Sequence, residues 1–553
     1  MKCPNCGKKM NDNTVFCTHC GSKLQTAPIV SSQNEQVTKQ PDKIKKQPQK
    51  GSGKAGVIIL TALVVLLAGA LGVGGYFFAD LKNKNSELQE SVEESEEKYD
   101  ELKEENDDIR KELDELKKQL KEAEDNRVER EEEPPAVIED EDNNVIKVYS
   151  YTDEFPEMVQ RYLDTHPECG YTMSSTVIST IDGAYQPALD MALQMGGNDA
   201  PDIYMAEEAF VYKYTKGDMS EYAMPYEKLG IDVDYMMEEA DIAGFTVGIG
   251  SNPNGEVVGL SYQSDSGAFI YRRSIAKAIW GTDDPKVIAT KIGAGTGSWD
   301  TFMKAAAEAK SKGYVMVSSI YDIWNVVECS GNQSWVEDGV LKISPEREEF
   351  IDLAYELVSK GYTNRTNAWS NEWFNDMESD SNVLGYFGPC WLIEYTLEPN
   401  SEDTMGDWAI TTPPIGYSWG GSWVLANANC SKSKYDVIKD ILEWATLDSS
   451  EEGLQYMLAN GEYSYGYKQC VPSGKVMSYT DGTLEFLGGQ DMFDVFIETN
   501  QMALTMPMSE YDEAIAGYFQ SSVYDYIDGY ITKDEVIDEF KSYVYDNLDV
   551  VVD

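Results

Sequence analysis

The most apolar run of the chain is Ala55–Ala79, and it contains no charged side chain. A helix of this length is sufficient to cross the hydrocarbon core of a bilayer, so the pattern predicts a single membrane-spanning helix. A cleaved signal peptide is the alternative, but its apolar core would be shorter and would lie closer to Met1. We therefore predict an uncleaved anchor between a short segment before it and a very large segment after it.

A second periodic pattern follows the span, where apolar residues recur every seven positions with Glu and Lys between them. This repeat is typical of a coiled coil. Asn106 falls at a core position and would favour a parallel dimer in one register. A lone charged helix is the alternative, because Asn85 and Ser95 weaken the first half of the repeat. Pro134 and Pro135 end the predicted stalk, since proline stops a helix.

From residue 145 onward, short β-branched runs alternate with longer amphipathic stretches. Strands are predicted over Val145–Tyr149, Ile203–Met205, Glu256–Leu260, Asp407–Thr411 and Trp423–Ala426, and helices over Glu154–Thr165, Thr301–Lys310, Glu346–Ser359 and Lys434–Trp444. Such alternation predicts an α/β fold. Since roughly 400 residues are too many for one core, we expect two lobes.

The charge distribution gives the span a direction. The lysines just before it are Lys39, Lys43, Lys45, Lys46, Lys50 and Lys54. Asp80 and an acid-rich run follow it. Because basic flanks stay in the cytoplasm, we predict a cytoplasmic N-terminus and an extracellular body. The lysines could also contact anionic lipid headgroups. The formal net charge of −52 argues against nucleic acid as a partner of the body, since acidic groups repel phosphate.

Two CxxC pairs lie near the N-terminus, each followed by Gly, and their thiols belong to Cys3, Cys6, Cys17 and Cys20. Two thiolates in a tight turn bind one metal ion, and two such turns complete a tetrahedral four-sulfur site. Zinc is the predicted structural metal, with iron as the alternative. Disulfides are less favoured in a reducing cytoplasm. Five further Cys lie in the body, an odd number, so at least one thiol is expected to be free.

The body shows no recognisable catalytic set: its single His is His166, and no GxxxxGK loop is present. A pair of carboxylates for glycoside hydrolysis stays open, although a solvated acidic surface also accounts for the many acids. All eleven Trp lie in this body. Aromatic faces stack on the C–H face of a sugar ring while acids accept from its hydroxyls, so the composition favours a carbohydrate ligand. Most of these Trp are nevertheless expected in the core.

Six segments in order carry a resemblance to a known family. They are VIKVYSYTDEFPEMVQRYLDTHPE (145–168), NDAPDIYM (198–205), EVVGLSYQSDSGAFIYRRSIAKAIWG (256–281), SWDTFMKAAAEAKSKGY (298–314), VLGYFGPCWLIEY (383–395) and WAITTPPIGYSWGGSWVLA (408–426). Together they resemble the extracellular solute-binding proteins of carbohydrate ABC importers. The resemblance implies two α/β lobes joined by hinge strands, a cleft that closes on a ligand, and no enzymatic activity.

The resemblance also implies a set of ligand-binding residues, namely Tyr151, Asp153, Glu154, Tyr262, Gln263, Asp265, Trp324, Trp391, Trp419, Gly420 and Gly421. Trp391 and Trp419 would be platforms for sugar rings. Asp153, Glu154 and Asp265 would accept hydrogen bonds from hydroxyls. For Asp153 and Glu154, charge pairing at a helix N-terminus is an equal alternative.

The N-terminal residues resemble the small zinc ribbon at the head of many bacterial membrane proteins. The predicted organisation is a zinc ribbon (1–24), a basic linker (25–54), the span (55–79), the coiled-coil stalk (80–133), a joint (134–144) and a two-lobed solute-binding body (145–553). The predicted function is a single-pass membrane receptor that delivers a sugar or oligosaccharide to an ABC permease. The alternatives are a receptor or adaptor that signals through the zinc ribbon and, less favoured, a glycan-cleaving enzyme.

Overall fold

The computed structural model describes residues 144–552, apart from residues 182, 332, 338, 464, 465, 506–508, 510 and 549. The predicted zinc ribbon, membrane span and stalk lie outside these residues. Among the helices that are described, none is both long and apolar enough to cross a membrane.

β-branched and aromatic residues are common in several strands of the body, for example in β1 and β5. The strands are β1 Val145–Ser150, β2 Thr172–Val177, β3 Ile203–Glu207, β4 Gly259–Ser261, β5 Ala268–Arg272, β6 Val336–Glu337, β7 Val340–Leu341, β8 Gly385–Gly388, β9 Trp408–Thr411, β10 Ser422–Ala426, β11 Thr483–Leu484 and β12 Gln490–Asp491. Five of them form a sheet in the order β2-β1-β3-β10-β4, and three form a second sheet in the order β8-β5-β9. Strand β1 runs parallel to β2 and β3, whereas β10 runs antiparallel to β3 and β4.

Helices cover both sheets. They are α1 Glu154–Thr165, α2 Tyr185–Met195, α3 Glu208–Thr215, α4 Val233–Ala240, α5 Gly244–Ile249, α6 Arg273–Trp280, α7 Pro285–Ile292, α8 Asp300–Ser311, α9 Tyr321–Cys329, α10 Pro345–Ser359, α11 Asn371–Asn375, α12 Cys390–Leu392, α13 Glu398–Asn400, α14 Tyr435–Thr446, α15 Leu454–Ala459, α16 Gly474–Tyr479, α17 Phe493–Met502, α18 Asp512–Asp528 and α19 Lys533–Asn547. A π-helical turn, Ile393–Leu397, joins α12 to α13.

The two-residue period of a strand explains how the larger sheet is packed. In β3, Ile203 and Met205 belong to one buried cluster, while Tyr204 and Ala206 belong to another on the opposite face. Because both faces are covered, the strand is an almost continuous apolar run, as is usual for a parallel strand under helices. The same rule holds in the second sheet, where Phe269 and Ile270 of β5 enter different cores.

The predicted two-lobed α/β architecture is confirmed, and helix α1 has the predicted bounds. Strand β2 was not predicted, because its sequence TMSSTV is mostly polar and lies at the edge of the sheet. The strand predicted over Glu256–Leu260 begins at Gly259 instead. Upstream of it, the backbone of Glu256 and Asn252 closes a local turn, with Asn252 N–H donating to Glu256 O at 2.8 Å.

Two crossing segments join the sheets and position the site. Residues 262–267 lead from β4 to β5, and residues 412–421 lead from β9 to β10. They pair with each other: the N–H of Gly267 donates to the carbonyl of Tyr417 at 2.9 Å, and the N–H of Trp419 donates to the carbonyl of Asp265 at 2.9 Å. Asp265 and Trp419 are therefore neighbours at the point where the chain passes between the two lobes.

Candidate functional site

A cavity of about 1010 Å³ opens beside the crossing segments. Its walls come from the first loop after β1, the start of α3, both crossing segments, the turn around α12, and the start of α18. Of the residues predicted from the sequence, the cavity is lined by Tyr151, Gln263, Asp265, Trp391, Trp419, Gly420 and Gly421. This volume is sufficient for a ligand of oligosaccharide size.

The Gly420-Gly421 turn allows the backbone to approach the acidic side chains closely. Both residues have left-handed φ angles, +99° and +121°, which favour glycine. A side chain at either position would lie about 3.5 Å from the Asp265 carboxylate. The N–H of Gly420 donates to the Glu208 carboxylate, and the Glu208 N–H donates to the Gly421 carbonyl at 3.1 Å. The predicted Gly-Gly loop therefore connects the crossing segment to α3.

Tryptophan rings form one wall of the cavity. Trp391 and Trp419 meet edge to face, with ring centroids 4.8 Å apart and an interplanar angle of 65°. The Nε1–H of Trp391 donates to the carbonyl of Trp419 at 3.2 Å, which holds the pair in this arrangement. Trp369 packs against this pair, because its ring lies nearly parallel to that of Trp391 with the ring centroids 6.4 Å apart.

Trp369 was not among the predicted ligand-binding residues. It is 44% exposed and has a φ of +66°, an unusual conformation for a bulky residue. Backbone strain of this kind concentrates at functional sites. The sequence shows Trp369 only as an aromatic residue between Ala and Ser, and neither its left-handed backbone nor its contact with Trp391 is visible there.

Glu154 and Tyr262 lie behind the cavity wall. The Tyr262 hydroxyl donates to Glu154 Oε2 at 3.1 Å, and the Tyr262 ring stacks on Phe155. Gln263 does line the cavity, and its amide donates to Gln469 Oε1 at 2.9 Å. Asp153 is exposed at the N-terminal end of α1, where its side chain makes no capping hydrogen bond.

The structure places Trp324 away from the other predicted residues, in the core of the second lobe. It is 4% exposed, and its ring packs on Phe350 and Phe519 at centroid distances of 4.9 and 5.4 Å. The prediction from family resemblance needs correction here, since helix α9 turns this residue inward. Its neighbour Asn325 lines the cavity instead, and the buried Nδ2 of Asn325 has no hydrogen-bond partner among the residues that the structure describes.

Buried carboxyl groups dominate the electrostatics of the cavity. Burial raises the pKa of Glu208 to about 8, although the Gly420 N–H and the Ser418 hydroxyl, 3.1 Å from Oε1, oppose the shift. Burial also raises the pKa of Asp265 to about 8, and the charges of Glu154 and Glu207 add to it. Glu207 is the last residue of β3, and Glu208 is the first residue of α3. Acidic residues just after the strand predicted over Ile203–Met205 were therefore a sequence signal that could have found this part of the site.

Glu394 is a third buried acid, and it lies on the π-helical turn. It is 1% exposed and lines the cavity, and among the described residues neither of its carboxylate oxygens has a well-formed hydrogen bond. Burial raises its pKa to about 9 and the charge of Glu398 adds to the shift, whereas the backbone N–H and the charge of Lys468 oppose it. Turns of this rare type often occur at functional sites. The sequence gives Glu394 no distinctive signal, because a π turn has no clear local pattern.

No group of three His, Cys, Asp or Glu side chains within the described ranges is arranged to hold a metal ion. The predicted zinc ligands lie outside those ranges. The five body thiols, Cys169, Cys329, Cys390, Cys430 and Cys470, are all free. Cys390 and Cys470 are adjacent in the cavity wall, where the Cys470 N–H donates to Cys390 Sγ at 3.2 Å.

Two α/β lobes, paired crossing segments and a cavity between them define a two-lobed solute-binding protein. Comparison of the sequence with protein families supports this class. Residues 168–467 match the model of bacterial extracellular solute-binding proteins, and residues 2–24 match a zinc-ribbon domain. The chain therefore belongs to the bacterial extracellular solute-binding protein family and carries a zinc ribbon near its N-terminus. No curated protein matches the sequence significantly.

Solved structures share this fold at low sequence identity. A family 1 extracellular solute-binding protein has a TM-score of 0.60 and 14% identity, covering 73% of this chain and 99% of its own. The sugar-binding protein MalE from Xanthomonas citri has a TM-score of 0.56 and 12% identity, covering 73% and 97%. The galacto-N-biose-/lacto-N-biose I-binding protein from Bifidobacterium longum, in complex with lacto-N-biose, has a TM-score of 0.50 and 16% identity, covering 74% and 98%.

Proposed function

We propose that the body binds a sugar or oligosaccharide in the cavity between its lobes. The observation that carries this proposal is the Trp391–Trp419 pair beside the Asp265 carboxyl group, at the paired crossing segments. Aromatic rings stack on the C–H faces of a sugar, and the acids and amides bind its hydroxyls. Structural relatives that are named as sugar-binding support the same ligand class.

Titration calorimetry of the full chain in detergent micelles against a panel of glycans tests the ligand class. We expect micromolar binding to at least one saccharide. Absence of binding to every member of the panel would contradict the proposal. Release of shorter products during the incubation would instead support a glycan-cleaving enzyme, so the same samples should be analysed for hydrolysis.

We further propose that the receptor delivers its ligand to an ABC permease while anchored by residues 55–79, with a cytoplasmic N-terminus and an extracellular body. The uncharged span and its basic flank support this topology. Protease added to intact cells should digest the body and leave the zinc ribbon protected. Deleting the gene should reduce uptake of the bound sugar, and restoring a chain without the span should not recover the uptake fully.

The zinc ribbon on the same chain favours one second function, a receptor that signals sugar binding to the cytoplasm. The predicted stalk over residues 80–133 would then connect the body to the head as a parallel dimer. Deletion of residues 1–24 separates the two functions. A change in gene expression with unchanged uptake would favour signalling, whereas lost uptake would favour a role of the head in transport.

A further inference from the structure

The cavity carries many more acidic than basic side chains. Its acids are Glu207, Glu208, Asp218, Asp265, Glu328, Glu394 and Asp512, and its bases are Lys213 and Lys216. Neither lysine makes an ion pair with these acids. Lys213 binds Asp190, which is not part of the cavity wall, at 2.5 Å, and Lys216 donates to the carbonyl of Gly248 at 2.8 Å.

Neutralisation of the acids by the protein is incomplete. Glu328 is paired with the buried Arg347 at 3.1 Å. Glu208 accepts hydrogen bonds from Ser418 and Gly420 but has no cation. In the part of the chain that the structure describes, no hydrogen bond acts on the pKa of the Asp265 carboxyl group. Neither oxygen of Glu394 has a well-formed hydrogen bond there, although the backbone N–H and the charge of Lys468 lie close enough to lower its pKa. Buried carboxyl groups with weak compensation are costly, so a ligand that supplies a donor to Asp265 or Glu394 is favoured.

A bound metal ion does not fit this arrangement, because no three acids among the described residues converge on one point. The acids are spread along a cavity whose wall also contains the faces of Trp391 and Trp419. Aromatic faces attract cations as well as sugar rings. The combination suits a ligand that has ring C–H faces, several hydroxyls and positive charges at separated positions.

We propose, on the basis of the sugar-binding function proposed above, that the ligand is a saccharide with free amino groups whose ammonium ions bind Asp265 and Glu394. Asn325, with its buried and unpartnered Nδ2, is the donor for a ligand oxygen in the same cavity. Neutral and N-acetylated saccharides of the same length are the weaker ligands, because they bring no ammonium ion to either carboxyl group.

Proton release is the signature of this pairing. The charged and titratable groups that face Asp265 are Tyr151, Glu154, Glu207, Glu208 and Cys470. Those that face Glu394 are Glu398, Lys468 and Cys470. Burial raises the pKa of Asp265 to about 8 and that of Glu394 to about 9, so both hold a proton in the empty cavity at neutral pH. An ammonium ion that binds such a carboxyl group displaces its proton to solvent. The O–H bond of the carboxyl group breaks, and its electron pair stays on the carboxylate oxygen.

The experiment is calorimetry on the full chain with a glucosamine trisaccharide, its N-acetylated form and cellotriose, each in two buffers of different ionisation enthalpy. We expect the amino form to bind at least tenfold more tightly, with net proton release and with affinity that rises between pH 6 and pH 7.5. Asp265→Asn and Glu394→Gln should each reduce that preference and the proton release. The matched control is Asp380→Asn at an exposed position outside the cavity, which should change neither.

The outcomes separate this inference from the proposed function. Equal or tighter binding of the neutral trisaccharides would overturn the amino-sugar inference and leave sugar binding intact. No binding of any saccharide would overturn both. Spermidine serves as a cation without a sugar ring, and tighter binding of spermidine than of the amino trisaccharide would also overturn the inference. Thermal unfolding of each variant confirms that it is folded before its binding is compared.

Discussion

The Nζ of Lys434 lies 2.9 Å from Oδ2 of Asp202, and both side chains are almost completely buried. Asp202 also accepts a hydrogen bond from the Lys147 N–H at 2.9 Å. The pair therefore connects the loop before β3 to β1 and to the start of α14. It lies in the first lobe and is not part of the cavity wall, so its effect on stability is separable from ligand contact.

We predict that Lys434→Met lowers the free energy of unfolding by about 3–5 kcal/mol, because it leaves the Asp202 carboxylate buried without its cation. Denaturant unfolding followed by Trp fluorescence measures the change. The matched control is Lys439→Met, which removes a partly exposed pair with Glu443 at 3.6 Å and should cost less than about 1 kcal/mol. Equal costs for the two variants would show that the buried pair has no special role.

Trp391→Ala should weaken binding of the identified ligand by about 10- to 100-fold, since a buried aromatic contact is usually a major contributor to affinity. The expected cause is loss of both the ring face and the hydrogen bond to the Trp419 carbonyl. Calorimetry measures the change. Trp280→Ala is the control and should leave the affinity unchanged. The Trp280 Nε1–H donates to the Glu308 carboxylate, and neither residue lines the cavity. Unaltered affinity in Trp391→Ala would show that this wall of the cavity does not contact the ligand.

Stability of the ligand-free chain should fall as pH rises toward 8, in part through Asp265. Its pKa is about 8 in the folded chain and about 3.9 when unfolded. The folded state therefore holds a proton that the unfolded state has already released between these values. One such group lowers the free energy of unfolding by at most about 1.4 kcal/mol per pH unit in that window.

Asp265→Asn removes this contribution while it keeps the shape of the side chain. Relative to the wild type, the variant should therefore have a higher free energy of unfolding at pH 8 than at pH 5. Thermal and chemical unfolding at the two pH values measure it. A difference that does not change with pH would contradict the raised pKa of Asp265.

The full chain is expected to contain one zinc ion, bound by Cys3, Cys6, Cys17 and Cys20. Elemental analysis should find about one zinc per chain, and Cys17→Ser should reduce the bound metal strongly because a four-sulfur site loses one ligand. Chelation should expose the four thiols to a thiol reagent. Full metal content in Cys17→Ser would contradict the predicted ligand set. The preparation should be anaerobic, so that iron is detected if it is the native metal.

Much of the body could be predicted because its signals are local. Helix α1 is amphipathic between clear end signals, and the strand at Ile203 follows Pro-Asp and consists of buried apolar residues. The edge strand β2 lacks such a signal. The ordered segments also led to seven residues that line the cavity, because the turns that carry Asp265 and Gly420 lie next to recognisable strands.

The amino-acid sequence by itself determined the apolar span, the four-cysteine motif, the α/β alternation and the family, since each depends on spacing or order along the chain. Only the tertiary structure decided which side chains share the cavity. It turned Trp324 into the core, placed the ring of Trp369 against that of Trp391, and buried the Glu394 carboxyl group in the cavity wall. These relationships join residues from distant segments, and burial changes their chemistry, so no local pattern contains them.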